Sequence, residues 1–159
     1  MDILIREAKE EDAQLIADLT RSAWAGKVVA SSSGHQESPQ RVVSDLRDGG
    51  GFILLADERP VGSVRWHPLE GESDVWEIMR MGVLPEYRGV QLSQHLLEAV
   101  IHQAQACEIE ELRLAVRPDQ TPLLDLYAAY GFEPAPELVY TYANPAEPEP
   151  MVMRKQLRY

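Results

Sequence analysis

The 159-residue chain is long enough for one domain with one hydrophobic core, and its apolar runs are shorter than the roughly 20 residues that cross a bilayer. With 26 Asp and Glu against 15 Lys and Arg, the formal net charge is −11. This charge disfavours nucleic acid and anionic membranes as partners and favours cationic ligands. The single cysteine excludes an intramolecular disulfide and a thiolate metal cluster. Because the charged N-terminal segment lacks the pattern of a signal peptide, we expect a cytoplasmic protein.

The first half of the chain contains patterns for two helices and four strands. Apolar residues that alternate with polar ones predict strands, and apolar residues three and four apart predict helices. The predicted elements are a strand over residues 3–7, a helix with Leu15, Ile16, Leu19 and Ala23 on one face, a loop over 25–39, a helix over 39–48, and strands over 52–57, 61–67 and 75–83. Residues 58–60 are predicted to form the turn of a hairpin.

The second half is predicted to alternate between helix and strand. The elements are a long helix with Leu92, Leu96, Leu97, Val100, Ile101 and Ala104 on one stripe, a strand from Leu112, a short helix over 123–130 that ends at Gly131, and a closing antiparallel pair over 139–142 and 151–157. The strand–helix–strand order predicts a parallel pair with a right-handed crossover. The sequence thus predicts a single α/β domain over residues 1–159, with a mixed, mostly antiparallel sheet and about four helices.

The turn at residues 83–93 points most directly to a ligand. An apolar strand runs into a turn containing Pro85, Arg88 and Gly89, and the long helix begins directly behind it. The first N–H groups of a helix have no intrahelical acceptor, and the helix dipole adds about half a positive charge there. This arrangement predicts a site for the phosphate of a cofactor.

A second segment, Leu126-Tyr127-Ala128-Ala129-Tyr130-Gly131-Phe132, follows this turn with a predicted strand between them. The two segments and the order of the elements make nearly the whole chain resemble the GNAT superfamily of acyl-CoA-dependent N-acyltransferases. The resemblance implies a mixed sheet whose parallel strand pair splays apart. It also implies transfer of an acetyl group from acetyl-CoA to a primary amine of a small molecule or peptide by direct attack, without a metal.

The resemblance further implies which residues contact acetyl-CoA. The family turn reads Arg/Gln-x-x-Gly-x-Gly/Ala, and here Gln91 and Ser93 stand where the family has small residues. The implied contacts are Arg88, Gly89, Val90, Gln91, Leu92 and Ser93 for the pyrophosphate, Met81, Gly82 and Val83 for the pantetheine, and Gln120, where the family often has Asn. Glycine inside a strand, as at position 82, independently indicates a close backbone approach.

Two residues are implied in the chemistry. Tyr127 matches the family tyrosine near the CoA sulfur, where it would protonate the departing thiolate; a packing role in the core is the alternative. Glu77 would accept the proton of the amine, directly or through water, and it shares a strand face with Met81 and Val83 if no bulge intervenes. His67, at the end of a predicted strand, is a weaker candidate for the base.

Two other functions remain open from the sequence. Gln91 and Ser93 are compatible with a GNAT-fold module that binds acyl-CoA or another protein with little or no turnover. The acidic surface is compatible with a non-enzymatic, partner-binding protein. A homodimer that pairs the closing strands is a further expectation, and the acceptor amine is expected to contact residues 25–39 and 143–150.

Overall fold

A computed structural model describes residues 1–25, 37–88, 91–140 and 148–157. Most of its helices and strands lie close to the predicted bounds. The elements are β1 (Ile3–Glu7), α1 (Ala13–Trp24), α2 (Pro39–Asp48), β2 (Gly50–Ala56), β3 (Arg59–Leu69), β4 (Glu72–Val83), α3 (Leu92–Ala106), β5 (Glu111–Val116), α4 (Pro122–Ala129), β6 (Glu133–Pro134) and β7 (Met151–Gln156).

These strands form one sheet in the order β1-β2-β3-β4-β5-β7-β6. Strands β4 and β5 run parallel with α3 as their crossover, and the other neighbouring pairs are antiparallel. The mixed sheet, its parallel pair and the four α-helices of the described ranges confirm the predicted fold class. Within those ranges no helix is both long enough and apolar enough to span a membrane.

Two apolar clusters, one on each face of the sheet, hold the helices in place. Ile53 and Leu54 are neighbours in β2 and both are fully buried, but they belong to different clusters because successive strand side chains point to opposite faces. The larger cluster joins the sheet to α3 and α4 and includes Leu97. The smaller cluster joins the sheet to α1 and α2 through Ile16 and Val42. The amphipathic stripes of the sequence therefore set which face each helix covers.

The closing strand pair differs from the prediction. β7 pairs with β5 along its whole length on one side and with the two-residue β6 on the other. Val139 and Tyr140 lie outside any strand, Val139 with 70% exposure, and residues 141–142 are not among those described. The predicted strand over 139–142 is therefore wrong in its described part. The two-residue β6 takes the place beside β7 that the strand over 139–142 was predicted to fill.

Local turn chemistry explains the connections. The β2–β3 turn lies one residue earlier than predicted: Asp57 and Glu58 have φ of +48° and +69°, the two left-handed positions of a type I′ turn, while Pro60 already belongs to β3. α2 begins as predicted, because the Ser38 hydroxyl caps its first turn and Pro39 suits its first position. Residues 26–36 of the predicted loop lie outside the described residues.

A buried ionic cluster lies between the sheet and the helices α1 and α2. The fully buried Arg65 guanidinium donates to Asp45 Oδ2 at 2.8 Å and to Glu37 Oε1. Glu37 Oε1 also accepts from Arg80 Nε at 3.1 Å. Burial opposes ionisation of Glu37, but Arg65 and Arg80 outweigh it and lower the pKa of Glu37. At Asp45, burial outweighs the same guanidinium, and the pKa of Asp45 is raised.

We expect Arg65→Met to lower the free energy of unfolding by about 3–5 kcal/mol, because it removes the fully buried cation that Glu37 and Asp45 share. Urea unfolding measures the loss. Arg47→Met is the matched control, since Arg47 forms a 2.8 Å ion pair with Glu10 but its side chain is 68% exposed; there the loss should stay within about 1 kcal/mol. Equal losses in the two variants would contradict a stabilising role for the buried cluster.

Candidate active site

Strands β4 and β5 separate part-way along their length. Their parallel register stops at Glu77 opposite Arg113, although β4 continues to Val83 and β5 to Val116. Beyond that point β4 is paired with β3 and β5 with β7, so the two facing edges have no ladder between them. We call this wedge, between residues 78–83 and 114–116, the cleft. An extended chain that enters it meets backbone N–H and C=O groups on both sides.

A β-bulge in β4 lies beside the cleft. Arg65 pairs with Met79, and Ser63 pairs with Gly82, so three steps along β4 oppose two steps along β3. Arg80 lies between these pairs and has φ of +55°, a left-handed conformation that is unfavourable for a residue with a side chain. Because a bulge inserts one residue, it reverses which side chains face each side of the sheet.

Glu77 therefore lies on the α1–α2 face, whereas Val83 lies on the α3 face, and the prediction that they share a face is wrong. Glu77 is opposite His67 in the register and only 1% exposed. Its Oε1 lies 3.1 Å from His67 Nε2, and His67 Nδ1 lies 3.1 Å from the Pro68 carbonyl oxygen. The hydrogen bond to Glu77 is the main cause that raises the pKa of His67, against the opposite effect of burial.

Tyr127 lies on α4 and is buried in the larger apolar cluster, which also contains the cleft residues Val83 and Val116. Its ring meets the Phe132 ring edge-on, with centroids 6.0 Å apart. Burial alone raises the pKa of the Tyr127 phenol to about 12. The hydroxyl is therefore protonated at neutral pH and is a hydrogen-bond donor. Tyr130 has a different role, because its hydroxyl donates to a carboxylate oxygen of α3 at 2.7 Å and ties the two helices together.

In the turn after β4, Arg88 makes hydrogen bonds to other parts of the protein. The backbone N–H of Arg88 donates to the Pro85 carbonyl at 3.2 Å, and the Arg88 guanidinium donates to the Ala23 carbonyl at the end of α1. Gly89 and Val90 lie outside the described residues. Gln91 is the N-cap of α3 with φ of +61° and ψ of 27°. Gln91 thus adopts the left-handed conformation for which the glycine of the family pattern is suited.

The first two residues of α3 follow directly. Leu92 is buried in the larger cluster, and Ser93 is half-buried. Their backbone N–H groups are in the first helical turn, where no intrahelical acceptor is available.

The two walls of the cleft carry the remaining predicted residues. Met81 and Gly82 on β4 are half-buried, and Gln120 ends a short 3₁₀ turn between β5 and α4. A Cβ on Gly82 would lie 2.7 Å from Trp24 Cζ3. The close contact that is predicted at Gly82 is therefore made by the indole of Trp24, at the end of α1. The glycine was the sequence signal for this contact, but nothing in the pattern identified Trp24 as its partner or Arg80 as a bulge.

Residues 5–132 match the model of the Acetyltransferase (GNAT) family. The chain belongs to this family. The GNAT match covers both sequence segments described above, the turn that precedes α3 and the segment around Tyr127.

Curated proteins with similar sequences carry acetyltransferase names. The chain is 27% identical to a mycothiol acetyltransferase of Streptomyces griseus over 126 residues, which are 79% of this chain and 41% of that protein. It is 29% identical to an IAA acetyltransferase of Azospirillum brasilense over 132 residues, 81% of this chain and 82% of that protein. The chain thus spans about two fifths of the mycothiol acetyltransferase.

Solved GNAT structures share the fold. The PaiA N-acetyltransferase of Thermoplasma acidophilum, solved in complex with coenzyme A, is 19% identical with a TM-score of 0.78, and 98% of this chain and 99% of that chain are covered. The ribosomal-protein-S18-alanine N-acetyltransferase of Escherichia coli is 18% identical with the same TM-score, and 99% and 96% of the two chains are covered.

We expect Gln91→Gly to raise the free energy of unfolding by up to about 1 kcal/mol, because glycine relieves the left-handed strain by more than it adds unfolded-state entropy. Urea unfolding measures this change. Gln103→Gly is the matched control: Gln103 lies inside α3, where glycine should cost about 1 kcal/mol. A loss of stability at both positions would contradict the strain inferred at Gln91.

Proposed function

We propose that the protein transfers an acetyl group from acetyl-CoA to a primary amine of a small molecule or peptide. The observation that carries this proposal is the end of the β4–β5 register at Glu77, beyond which two strand edges remain open. Val83 and Val116 on these edges belong to the same apolar cluster as Tyr127. Membership of the GNAT family supports the same reaction. A carboxylate and a protonated phenol near one cleft are the groups that amide formation from a thioester requires.

We propose that the pantetheine arm lies in the cleft as an added extended chain. Met81, Gly82 and Val83 would supply backbone groups on one wall, and Gln120 would supply a side-chain amide near the other. The open edges support this assignment because unpaired backbone groups need a partner when they are covered.

The pyrophosphate is proposed to bind where α3 begins. The N–H groups of Gln91, Leu92 and Ser93 and the helix dipole favour an anion there. Gly89 and Val90 are proposed to complete this site by the family pattern. At Arg88, the proposed contribution is limited, because its backbone N–H and one end of its guanidinium already donate within the protein.

The proposed reaction is a direct attack. The amine nitrogen forms a bond to the thioester carbonyl carbon, the carbonyl oxygen takes the negative charge, and a backbone N–H near Val83 donates to it. Glu77, directly or through a water, accepts the proton that the amine loses. The C–S bond then breaks, and the sulfur leaves with the electron pair.

Tyr127 is proposed to stabilise that sulfur. A thiol has an ordinary pKa of about 8.5, so a phenol of pKa about 12 is the weaker acid, and proton transfer from it is uphill by about 5 kcal/mol. A hydrogen bond from the phenol to the departing thiolate is therefore the larger contribution. Tyr127 keeps its proton, and solvent supplies the proton that converts the released thiolate into the thiol.

The acceptor is proposed to be a cationic amine. The net charge of −11 favours cations, and the acceptors in the names of the relatives differ from one another. A panel of a diamine, an amino sugar and a peptide with an N-terminal alanine, each with acetyl-CoA, tests this range by release of free thiol.

We expect Tyr127→Phe to lower kcat by about 10²-fold or more, with the KM for acetyl-CoA little changed, because the hydrogen bond forms chiefly as the sulfur becomes charged. Free-thiol release under saturating acetyl-CoA measures kcat. Tyr130→Phe is the matched control: it removes one hydroxyl from the same helix end but leaves the cleft intact. If both variants are as fast as the parent, Tyr127 has no part in the reaction.

We expect Glu77→Gln to reduce kcat/KM for the amine by about 10²-fold, because a neutral amide cannot accept a proton. The matched control is Glu111→Gln, a buried glutamate of β5.

A binding module gives a different result: coenzyme A raises the melting temperature, but no amine in the panel releases thiol from acetyl-CoA. That result would overturn the proposed reaction.

A further inference from the structure

His67 and Glu77 form a buried cross-strand pair that the proposed reaction uses only in part. The two residues are directly opposite in the β3–β4 register, and they are 7% and 1% exposed. The contact joins His67 Nε2 to Glu77 Oε1 at 3.1 Å. It reaches one of the two carboxylate oxygens, so the other is available to a water or to the amine.

The second ring nitrogen determines the proton content of this pair. His67 Nδ1 lies 3.1 Å from the Pro68 carbonyl oxygen, which can only accept a hydrogen bond, so Nδ1 carries a proton. In a neutral ring Nε2 would then have no proton and would face the carboxylate with its lone pair. The arrangement is favourable only if one more proton lies between Nε2 and Oε1, either on the ring or on the carboxyl group. The raised pKa of His67 favours the imidazolium with a carboxylate.

Charged groups from three other positions surround the pair. Asp45 on α2 adds a small rise to the pKa of His67 after the main effect of Glu77. Arg65 lies two residues before His67 on the same face of β3, where Asp45 already holds it at 2.8 Å. Arg113 on β5 is the register partner of Glu77. Both cations bind other carboxylates: Arg65 donates to Asp45 and Glu37, and Arg113 donates to Glu111 and Glu72.

We propose that His67 is a positioning residue whose imidazolium keeps the buried Glu77 side chain ionised and oriented toward the cleft. The proposal rests on the proposed function, in which Glu77 takes the proton of the amine. Burial disfavours the charged form of a carboxylate, and a paired cation favours it. The Pro68 carbonyl holds the ring through Nδ1, and the ring in turn holds Oε1. The free oxygen of Glu77 is left to accept the proton.

The raised pKa of His67 agrees with this pairing and determines how the pairing changes stability with pH. A histidine whose pKa rises on folding adds stability that is complete below its unfolded pKa and disappears as the pH rises through its folded pKa. The imidazolium is thus maintained to higher pH than in an unperturbed histidine.

The pair itself is tested without turnover. NMR titration of the His67 ring nitrogens should show a protonated Nδ1 and a raised pKa in the parent protein, with the signal assigned by its loss in His67→Asn. In Glu77→Gln the pKa of His67 should fall, because the main cause of its rise is removed and burial then opposes only the smaller effects of the Pro68 carbonyl and Asp45. An unchanged pKa in Glu77→Gln would overturn the pair.

The catalytic consequence is tested by pH profiles. His67→Gln keeps a hydrogen-bond donor but loses the charge, so the acidic limb of the kcat/KM profile should move to higher pH by about one unit or more. The KM for acetyl-CoA should be unchanged. His102→Gln, on the exposed side of α3, is the control and should keep the parent profile.

The two measurements separate the two proposals. If turnover occurs and the His67→Gln profile equals that of the parent, His67 is only structural and the inference is overturned. If no amine is acetylated, the proposed function fails, and the NMR titration alone decides whether the ion pair exists.

Discussion

The left-handed backbone of Arg80 is the constraint on which the site depends. Such a conformation costs about 1–2 kcal/mol, so the surroundings must hold it. Arg80 binds Glu37 at the start of α2, and Glu37 also binds the fully buried Arg65. The ionic cluster thus fixes the bulge from the α1–α2 side. The bulge lies on the stretch of β4 that has left β5, and it sets which side chains face each side of the cleft.

The two proposed catalytic groups lie on opposite faces of the sheet. Glu77 lies on the α1–α2 face of the sheet, and Tyr127 lies among the residues packed on α3 and α4. In an unbroken sheet such groups would be screened from each other by the backbone. Where β4 and β5 part, both faces reach the same opening. A thioester bound there would contact Glu77 from one face of the sheet and Tyr127 from the other. The group that accepts a proton and the group that stabilises the sulfur would therefore occupy separate positions.

The fold could be predicted from the sequence because helical stripes and strand alternation are local signals. The stripe that contains Leu97 placed α3, and Gly131, with φ of +89°, marked the end of α4. The predictions that failed concern features that depend on tertiary contacts. Val139 alternates like a strand residue, but β7 had already gained both of its neighbours. Glu77 and Tyr127 could be named as candidates, but their surroundings could not, because no spacing rule reveals an extra residue at Arg80.

The links between α1, α2 and β4 have a consequence for engineering the chain between the two helices. Trp24 packs on Gly82 at the end of α1, and Glu37 binds Arg80 just before α2. The two ends of this segment are therefore held at positions two residues apart on one strand. A replacement sequence grafted between residues 25 and 37 would keep both contacts. Libraries of varied length and composition there would test whether this segment selects the acceptor, while the wall of the cleft stays in register.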